Sequence, residues 1–92
     1  PNHFLLNSPY PNPFNPSTTI RFNIGVGDTK TRPLTLTVYD ITGRVIATLN
    51  NGILDAGLHE IEWNASDHAS GIYFVEMIAE DFRQIKKIIL LK

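Results

Sequence analysis

The chain of 92 residues has no cysteine, which excludes thiolate catalysis, thiolate zinc sites and a disulfide framework together. It has no run of like charge either. Eight Lys and Arg residues stand against nine Asp and Glu, a formal net charge of −1. The basic footprint that nucleic acid demands is therefore missing, as is a polybasic patch for a membrane surface. No nucleic-acid partner is expected. The longest apolar run, Ile88 to Leu91, is far too brief to cross a bilayer, so membrane insertion is not expected. Helical periodicity is also lacking: no window keeps apolar residues at i, i+3, i+4 and i+7 for the dozen or so positions a helix needs.

What the chain does have is period-two alternation. Ile20, Phe22 and Ile24 alternate with Thr19, Arg21 and Asn23; Leu34, Leu36 and Val38 alternate with Thr35, Thr37 and Tyr39. Ile61 and Trp63 alternate with Glu60 and Glu62; Tyr73, Val75 and Met77 alternate with Phe74 and Glu76. Each set directs an apolar face to a core and a more polar face to water, as antiparallel sheets do. Turn formers separate the runs: Gly25–Val26–Gly27–Asp28, Asp40–Ile41–Thr42–Gly43–Arg44, Asn51–Gly52, Ala56–Gly57 and Ser70–Gly71. The pattern predicts seven strands: Phe4–Leu6, Thr18–Ile24, Leu34–Tyr39, Val45–Leu49, His59–Trp63, Ile72–Ala79 and Gln84–Leu91. The expected fold is an all-β, immunoglobulin-like antiparallel β-sandwich of about seven strands, with a small barrel as the structural alternative. Residues 1–92 suit a single domain, able to bury roughly 63–66% of its unfolded surface without a metal or disulfide staple. The opening Pro1–Asn2–His3 carries no initiator methionine or signal peptide, and the chain is expected to be a segment excised from a larger protein.

Residues 9–16 depart from the strand pattern. Four of the six prolines fall within Pro9-Tyr10-Pro11-Asn12-Pro13-Phe14-Asn15-Pro16, fixing φ repeatedly and removing backbone donors. A central strand is ruled out. An extended, polyproline-like strap is expected, with Phe14 and Tyr10 pinned against the sandwich, serving as a rigid lead-in that discourages edge-to-edge pairing.

Catalytic patterns are scarce. Glu60 and Glu62 share one strand face roughly 6–7 Å apart, a spacing at which carboxylates hydrolyse glycosides, but they lie opposite Ile61 and Trp63 and so on the solvent face. No Gly-x-Ser-x-Gly elbow presents a nucleophile. His3, His59 and His68 never reach His-x-x-x-His spacing, and His59 shares parity with Ile61 and Trp63, which favours a packed or hydrogen-bonded ring. Asp28, Asp55, Asp67 and Asp81 occupy loops without a calcium-loop pattern. No catalytic residue, metal or cofactor is assigned. Asn64–Ala65–Ser66 formally matches a glycosylation acceptor and is read as a turn. Trp63, Tyr73 and Phe22 have inward parity; Tyr39, Phe74 and Phe82 remain for an exposed face, and Tyr39 and Phe74 are candidate sugar contacts. Ile88 to Leu91 cannot all be buried by one sheet face, so the last strand is either covered on both sides or partly exposed. Flanked by Lys86, Lys87 and Lys92, it suits recognition by strand addition.

The string Tyr10-Pro-Asn-Pro-Phe-Asn-Pro-Ser-Thr18, followed by Thr19–Ile20–Arg21–Phe22, resembles the opening of type A C-terminal sorting domains of the type IX secretion system. The resemblance continues through Val38-Tyr39-Asp40-Ile41-Thr42-Gly43-Arg44, Ala56-Gly57-Leu58-His59 with Trp63, Ser70-Gly71-Ile72-Tyr73-Phe74, and the closing Lys86-Lys87-Ile88-Ile89-Leu90-Leu91-Lys92. The flagellar hook-capping immunoglobulin-like domain is similar through the Gly57–Trp63 and Gly71–Tyr73 regions. The resemblance implies a non-catalytic domain that directs an N-terminally attached cargo (a secreted hydrolase, protease or adhesin) across the outer membrane. Its partners would be the outer-membrane translocon and a cell-surface sortase. The protein would be exported, periplasmic in transit and then at the cell surface or outside the cell, and a monomer is expected. The elements concerned map to Pro11, Asn12 and Pro13 in the strap, to Gly71 and Tyr73, and to Lys87 and Lys92 in the tail. A carbohydrate-binding accessory module and a structural immunoglobulin-like spacer are the alternatives.

Overall fold

The computed structural model describes residues 4–25 and 33–92; His3, Asp28 and most of the Gly25–Asp28 turn lie outside the described residues. Seven strands follow in order: β1 (Leu5–Leu6), β2 (Ser17–Ile24), β3 (Leu34–Asp40), β4 (Val45–Gly52), β5 (Gly57–Asn64), β6 (Gly71–Ala79) and β7 (Phe82–Leu90). They form a three-stranded sheet, β1-β2-β5, and a four-stranded sheet, β4-β3-β6-β7. Every strand pairing is antiparallel. In β2 and β3 the alternation read in the sequence is the alternation of burial, while in β6 Glu76 is buried together with Val75 and Met77. Ile20, Phe22 and Ile24 of one sheet meet Leu36, Val38, Val75 and Met77 of the other in a single buried core, as facing sheets of a sandwich require. This is an all-β, immunoglobulin-like sandwich.

The edges of the two sheets are finished differently, which matters because an open edge offers unpaired backbone groups to other chains. On one side β1 and β7 are joined by a 3.1 Å hydrogen bond from the Leu6 amide to Gln84 Oε1. On the other, β4 contains two bulges, where the register shifts between Leu36 and Thr37 and between Val38 and Tyr39. Bulges strengthen local twist and turn an edge away from flat pairing. They also change which side chains face inward, so that Ile46, Ala47 and Leu49 all pack against the core.

Several expectations are corrected. Asn51–Gly52 is not a turn; it lies in β4, where Asn51 pairs with Thr35 and Gly52 with Leu34. A two-residue hairpin needs successive strands in one sheet, and β4 and β5 belong to different sheets. The reversal between β3 and β4 is at Asp40–Arg44, where the Gly43 amide donates to the Asp40 carbonyl at 3.0 Å. The strap is not a polyproline helix. It is a run of bends between two bridges, Tyr10 to Thr19 and Phe14 to Leu90, with cis peptide bonds before Pro11, Pro13 and Pro16. Phe14 is buried as expected, but the Tyr10 side chain is 72% exposed, because its backbone pairing with β2 directs the ring outward. Of the two alternatives for the last strand, partial exposure holds, because β7 ends its sheet. Ile88 and Leu90 are buried, Ile89 is half-buried and Leu91 is 54% exposed.

Candidate functional site

The proline strap and β7 form one structure. Prolines at 9, 11, 13 and 16 leave backbone donors only at Tyr10, Asn12, Phe14 and Asn15, and those of Tyr10 and Phe14 go to specific partners. Tyr10 exchanges two bonds with Thr19, at 3.1 and 2.9 Å, tying the strap to β2. The buried Thr18 hydroxyl donates to the Pro11 carbonyl at 2.8 Å. Asn12 then reaches across to the other sheet: its Nδ2 donates to the Lys87 carbonyl and its Oδ1 accepts from the Ile89 amide, both at 3.0 Å. Phe14 continues along the same edge, its amide donating to the Ile89 carbonyl at 2.9 Å and its carbonyl accepting from the Leu91 amide at 3.0 Å. The Ala65 amide donates to the Pro16 carbonyl at 2.8 Å. Backbone groups of residues 87, 89 and 91 thus face the strap. Those of residues 88 and 90 face β6, because N–H and C=O directions alternate along a strand.

Beneath the strap the Phe14 ring, 2% exposed, lies 5.7 Å from the Trp63 ring, which in turn sits 5.6 Å from Tyr73 and 5.6 Å from His68. Tyr73 is opposite Ile88 in the ladder, and its hydroxyl donates to the Ala69 carbonyl. Gly71 opens β6 opposite Leu90 with φ +154°, a backbone conformation favouring glycine. At the chain's end the Lys92 amide donates to Ser70 Oγ at 3.0 Å and its Nζ donates to the Ser66 carbonyl at 2.6 Å. The seven residues singled out for recognition (Pro11, Asn12, Pro13, Gly71, Tyr73, Lys87 and Lys92) are spread over the sequence but gather around the second half of β7.

Tyr39 and Phe74 lie elsewhere. They are opposite one another across β3 and β6, both half-buried, on the outer face of the four-stranded sheet. With Ile41, Glu76, Arg83 and Ile85 they line an open groove of about 500 Å³. Sequence alternation put Glu76 on the solvent face, yet it is 5% exposed. The Tyr39 hydroxyl donates to its Oε1 at 2.8 Å and Arg83 Nε donates to its Oε2, covering the carboxylate from both sides. That hydrogen bond, reinforced by burial and the carboxylate's charge and opposed by Arg83, raises the Tyr39 pKa. Glu76 and Arg83 went unnoticed in the sequence because they come from different strands and no spacing rule joins them.

The other chemical candidates have structural partners. Glu60 pairs with Arg21 directly across β2 and β5, while Glu62 is exposed. His59 stacks on Phe22 with ring centres 5.4 Å apart, and its Nε2 donates to the Asp55 carbonyl at 2.7 Å. Among the described residues no three His, Asp or Glu side chains group as a metal site would require. Asn64 caps its own turn, its Oδ1 accepting from the Ser66 amide at 2.9 Å.

Comparison with known proteins agrees with this architecture. One solved structure, Escherichia coli alpha-2-macroglobulin activated by porcine elastase, contains a region similar to 98% of this chain with a TM-score of 0.69 and 15% identity. The chain corresponds to 8% of that protein's length, and the likeness is one of fold. No curated protein sequence matches the chain. The family of secretion system C-terminal sorting domains matches residues 8–91, from the strap to the end of the last strand. This chain belongs to that family, the C-terminal sorting domains of type IX secretion.

Proposed function

We propose that residues 1–92 form one monomeric, non-catalytic sorting and anchoring domain. It carries an N-terminally attached cargo (a secreted hydrolase, protease or adhesin) through the periplasm and across the outer membrane, where the translocon and then a cell-surface sortase act on it. The observation that carries this reading is the convergence of strap, Gly71–Tyr73 and Lys87–Lys92 on one end of the sandwich, around β7. Recognition needs a contiguous surface, and this is the one that the family's sequence features build here. Pro11, Asn12, Pro13, Lys87 and Lys92 are exposed on it, while Gly71 and Tyr73 hold β6 and the Trp63 cluster beneath it.

The test is fusion of the domain to the C-terminus of a periplasmic fluorescent reporter in a bacterium with a working type IX system. The intact fusion is expected at the surface or in the medium, with Lys87→Ala and Lys92→Ala reducing export without unfolding the domain. Deleting Lys87–Lys92 should abolish export, but it also removes Ile88 and Leu90 from the core, so the point variants decide. A folded wild-type domain retained in the periplasm would refute the proposal.

The groove on the outer face favours a second reading. Tyr39 and Phe74 offer ring surface beside the polar Glu76 and Arg83, a combination suited to a neutral saccharide. Saturable retardation in gels cast with soluble polysaccharide, lost in Tyr39→Ala or Phe74→Ala, would support an accessory carbohydrate-binding role.

A further inference from the structure

We infer that the strap-facing edge of β7 is a strand-docking site that the free domain occupies with its own strap, and that the strap gives way to an extended, aromatic-anchored segment of the secretion machinery. This inference rests on the sorting proposal for the identity of the partner, though not for the existence of the site.

The reasoning starts from the edges. β1 is two residues long, β4 is bulged twice, and β5 carries the exposed Glu60 and Glu62. These are permanent protections against strand addition. The edge of β7 is protected differently. It is regular in its pairing with β6 over nine residues, and what covers it is a separate, proline-broken segment, tied elsewhere by four hydrogen bonds to Thr18, Thr19 and Ala65. Along β7 itself the strap contributes four hydrogen bonds, two of them from the single side chain of Asn12. Pro11 and Pro13 supply no donors, and the side chains of Pro11, Asn12 and Pro13 face solvent. Two strap residues are buried, Pro9 and the aromatic anchor Phe14, and Phe14 packs against Trp63. A segment attached this way detaches more readily than a laddered strand, and local opening of such elements costs less than global unfolding.

The strap also specifies what replaces it. It runs parallel to β7, with Phe14 bridged to Leu90. It offers a donor to the Ile89 carbonyl and acceptors to the Ile89 and Leu91 amides. An incoming segment must match this: extended, parallel to β7, with an aromatic side chain for the Phe14 pocket. Main-chain bonds would supply affinity and the pocket specificity, as in other β-augmentation complexes.

Two measurements on the isolated domain test the docking site. The first is native-state hydrogen exchange. The Ile89 and Leu91 amides, which bond only to the strap, are expected to exchange by local opening, while Ile88 and Leu90, directed at β6, exchange with the core. Asn12→Ala should accelerate Ile89 and Leu91 about tenfold, the change expected for losing bonds of ordinary net strength, and leave Ile88 and Leu90 in place. The second is binding of a fluorescein-labelled peptide of residues 9–17. It should bind Phe14→Ala and Asn12→Ala saturably. Wild type should bind far more weakly, because its tethered strap competes at high effective concentration. Ile89→Pro placed in the Asn12→Ala background should abolish peptide binding. It removes one of the two amides that donate to the strap and leaves the β6 ladder intact, a position that tolerates proline. Exchange of Ile89 and Leu91 only by global unfolding, or no peptide binding by folded variants, would overturn the docking site.

The reporter fusion supplies the third arm. Folded Ile89→Pro is expected to lose export. If wild type is exported and Ile89→Pro equally so, the docking inference fails while the sorting proposal stands. If wild type is not exported, the partner assignment falls with the sorting proposal, and the exchange and peptide results still decide whether the edge opens.

Discussion

The hydroxyl of Tyr39 donates a 2.8 Å hydrogen bond to Oε1 of Glu76, joining adjacent strands β3 and β6 on the outer face of the sandwich. Arg83 Nε completes the arrangement on Oε2. A nearly buried carboxylate without partners would be costly, and these two contacts make the position tolerable. Neither partner is predictable from strand alternation, which counts faces and not partners.

Tyr39→Phe and Glu76→Gln are each expected to destabilise the domain by about 1 kcal/mol, the net worth of one such bond. The double variant should lose less than the sum, because the residues share one interaction. Urea unfolding with an unchanged slope would report it.

Ionisation of Tyr39 gives a pH signature. Its pKa is raised above 10.0, first by the bond to Glu76, so the neutral hydroxyl is the form the fold prefers. This contribution to stability is complete below the unfolded value near 10 and is lost as pH rises through the higher folded value. Absorbance titration at alkaline pH should show a late-titrating tyrosine that vanishes in Tyr39→Phe and moves down in Glu76→Gln.

The turn between β3 and β4 depends on Asp40. Its Oδ1 accepts from the Thr42 amide at 2.9 Å, the Thr42 hydroxyl at 2.6 Å and the Arg44 amide at 3.1 Å. The Thr42 hydroxyl first, then the Arg44 amide, hold the carboxyl below its ordinary value of 3.8. The associated stability is present above the unfolded pKa and disappears as pH falls through the lowered folded one. Thr42→Ala should raise the Asp40 pKa, as followed by NMR titration. Gly43→Ala should cost about 1 kcal/mol. The glycine sits at φ +87° with open space where a Cβ would stand, so the cost is one of backbone conformation.

Strap anchoring separates its two aromatic residues. Phe14→Ala should destabilise by about 3–5 kcal/mol through cavity formation against Trp63 and shift Trp63 fluorescence to the red. Tyr10→Ala, at a ring 72% exposed, should stay within about 0.5 kcal/mol of wild type.

The ion pair between Arg21 and Glu60 is a weak contributor despite its short contact. Their side chains are 45% and 53% exposed, so Arg21→Ala should cost at most about 1 kcal/mol, and less as salt is added.

All seven strands were legible in the sequence to within a few residues, because inward residues such as Ile20, Phe22, Val75 and Met77 alternate without interruption and glycines or prolines mark most boundaries. Asn51–Gly52 misled because a turn dipeptide states a local preference, and the pairing with Leu34 and Thr35 outweighs it. The three inward residues of β4 were invisible because bulges arise from two strands fitting together and not from either alone.

The amino-acid sequence by itself determined that the chain is all β, that its core is built from the alternating apolar residues, and that residues 9–16 could not join a sheet as an ordinary strand. Those follow from short-range physics: side-chain period, fixed proline φ and missing donors. Tertiary structure alone decided that β7 ends a sheet, that Asn12 and Phe14 cover its edge, and that Glu76 is enclosed by Tyr39 and Arg83. Hydrogen-bond partners 75 or more residues apart, such as Asn12 with Lys87 and Ile89, are set by how the two sheets stack. That stacking is a property of the whole packed core and is written in no local run of residues.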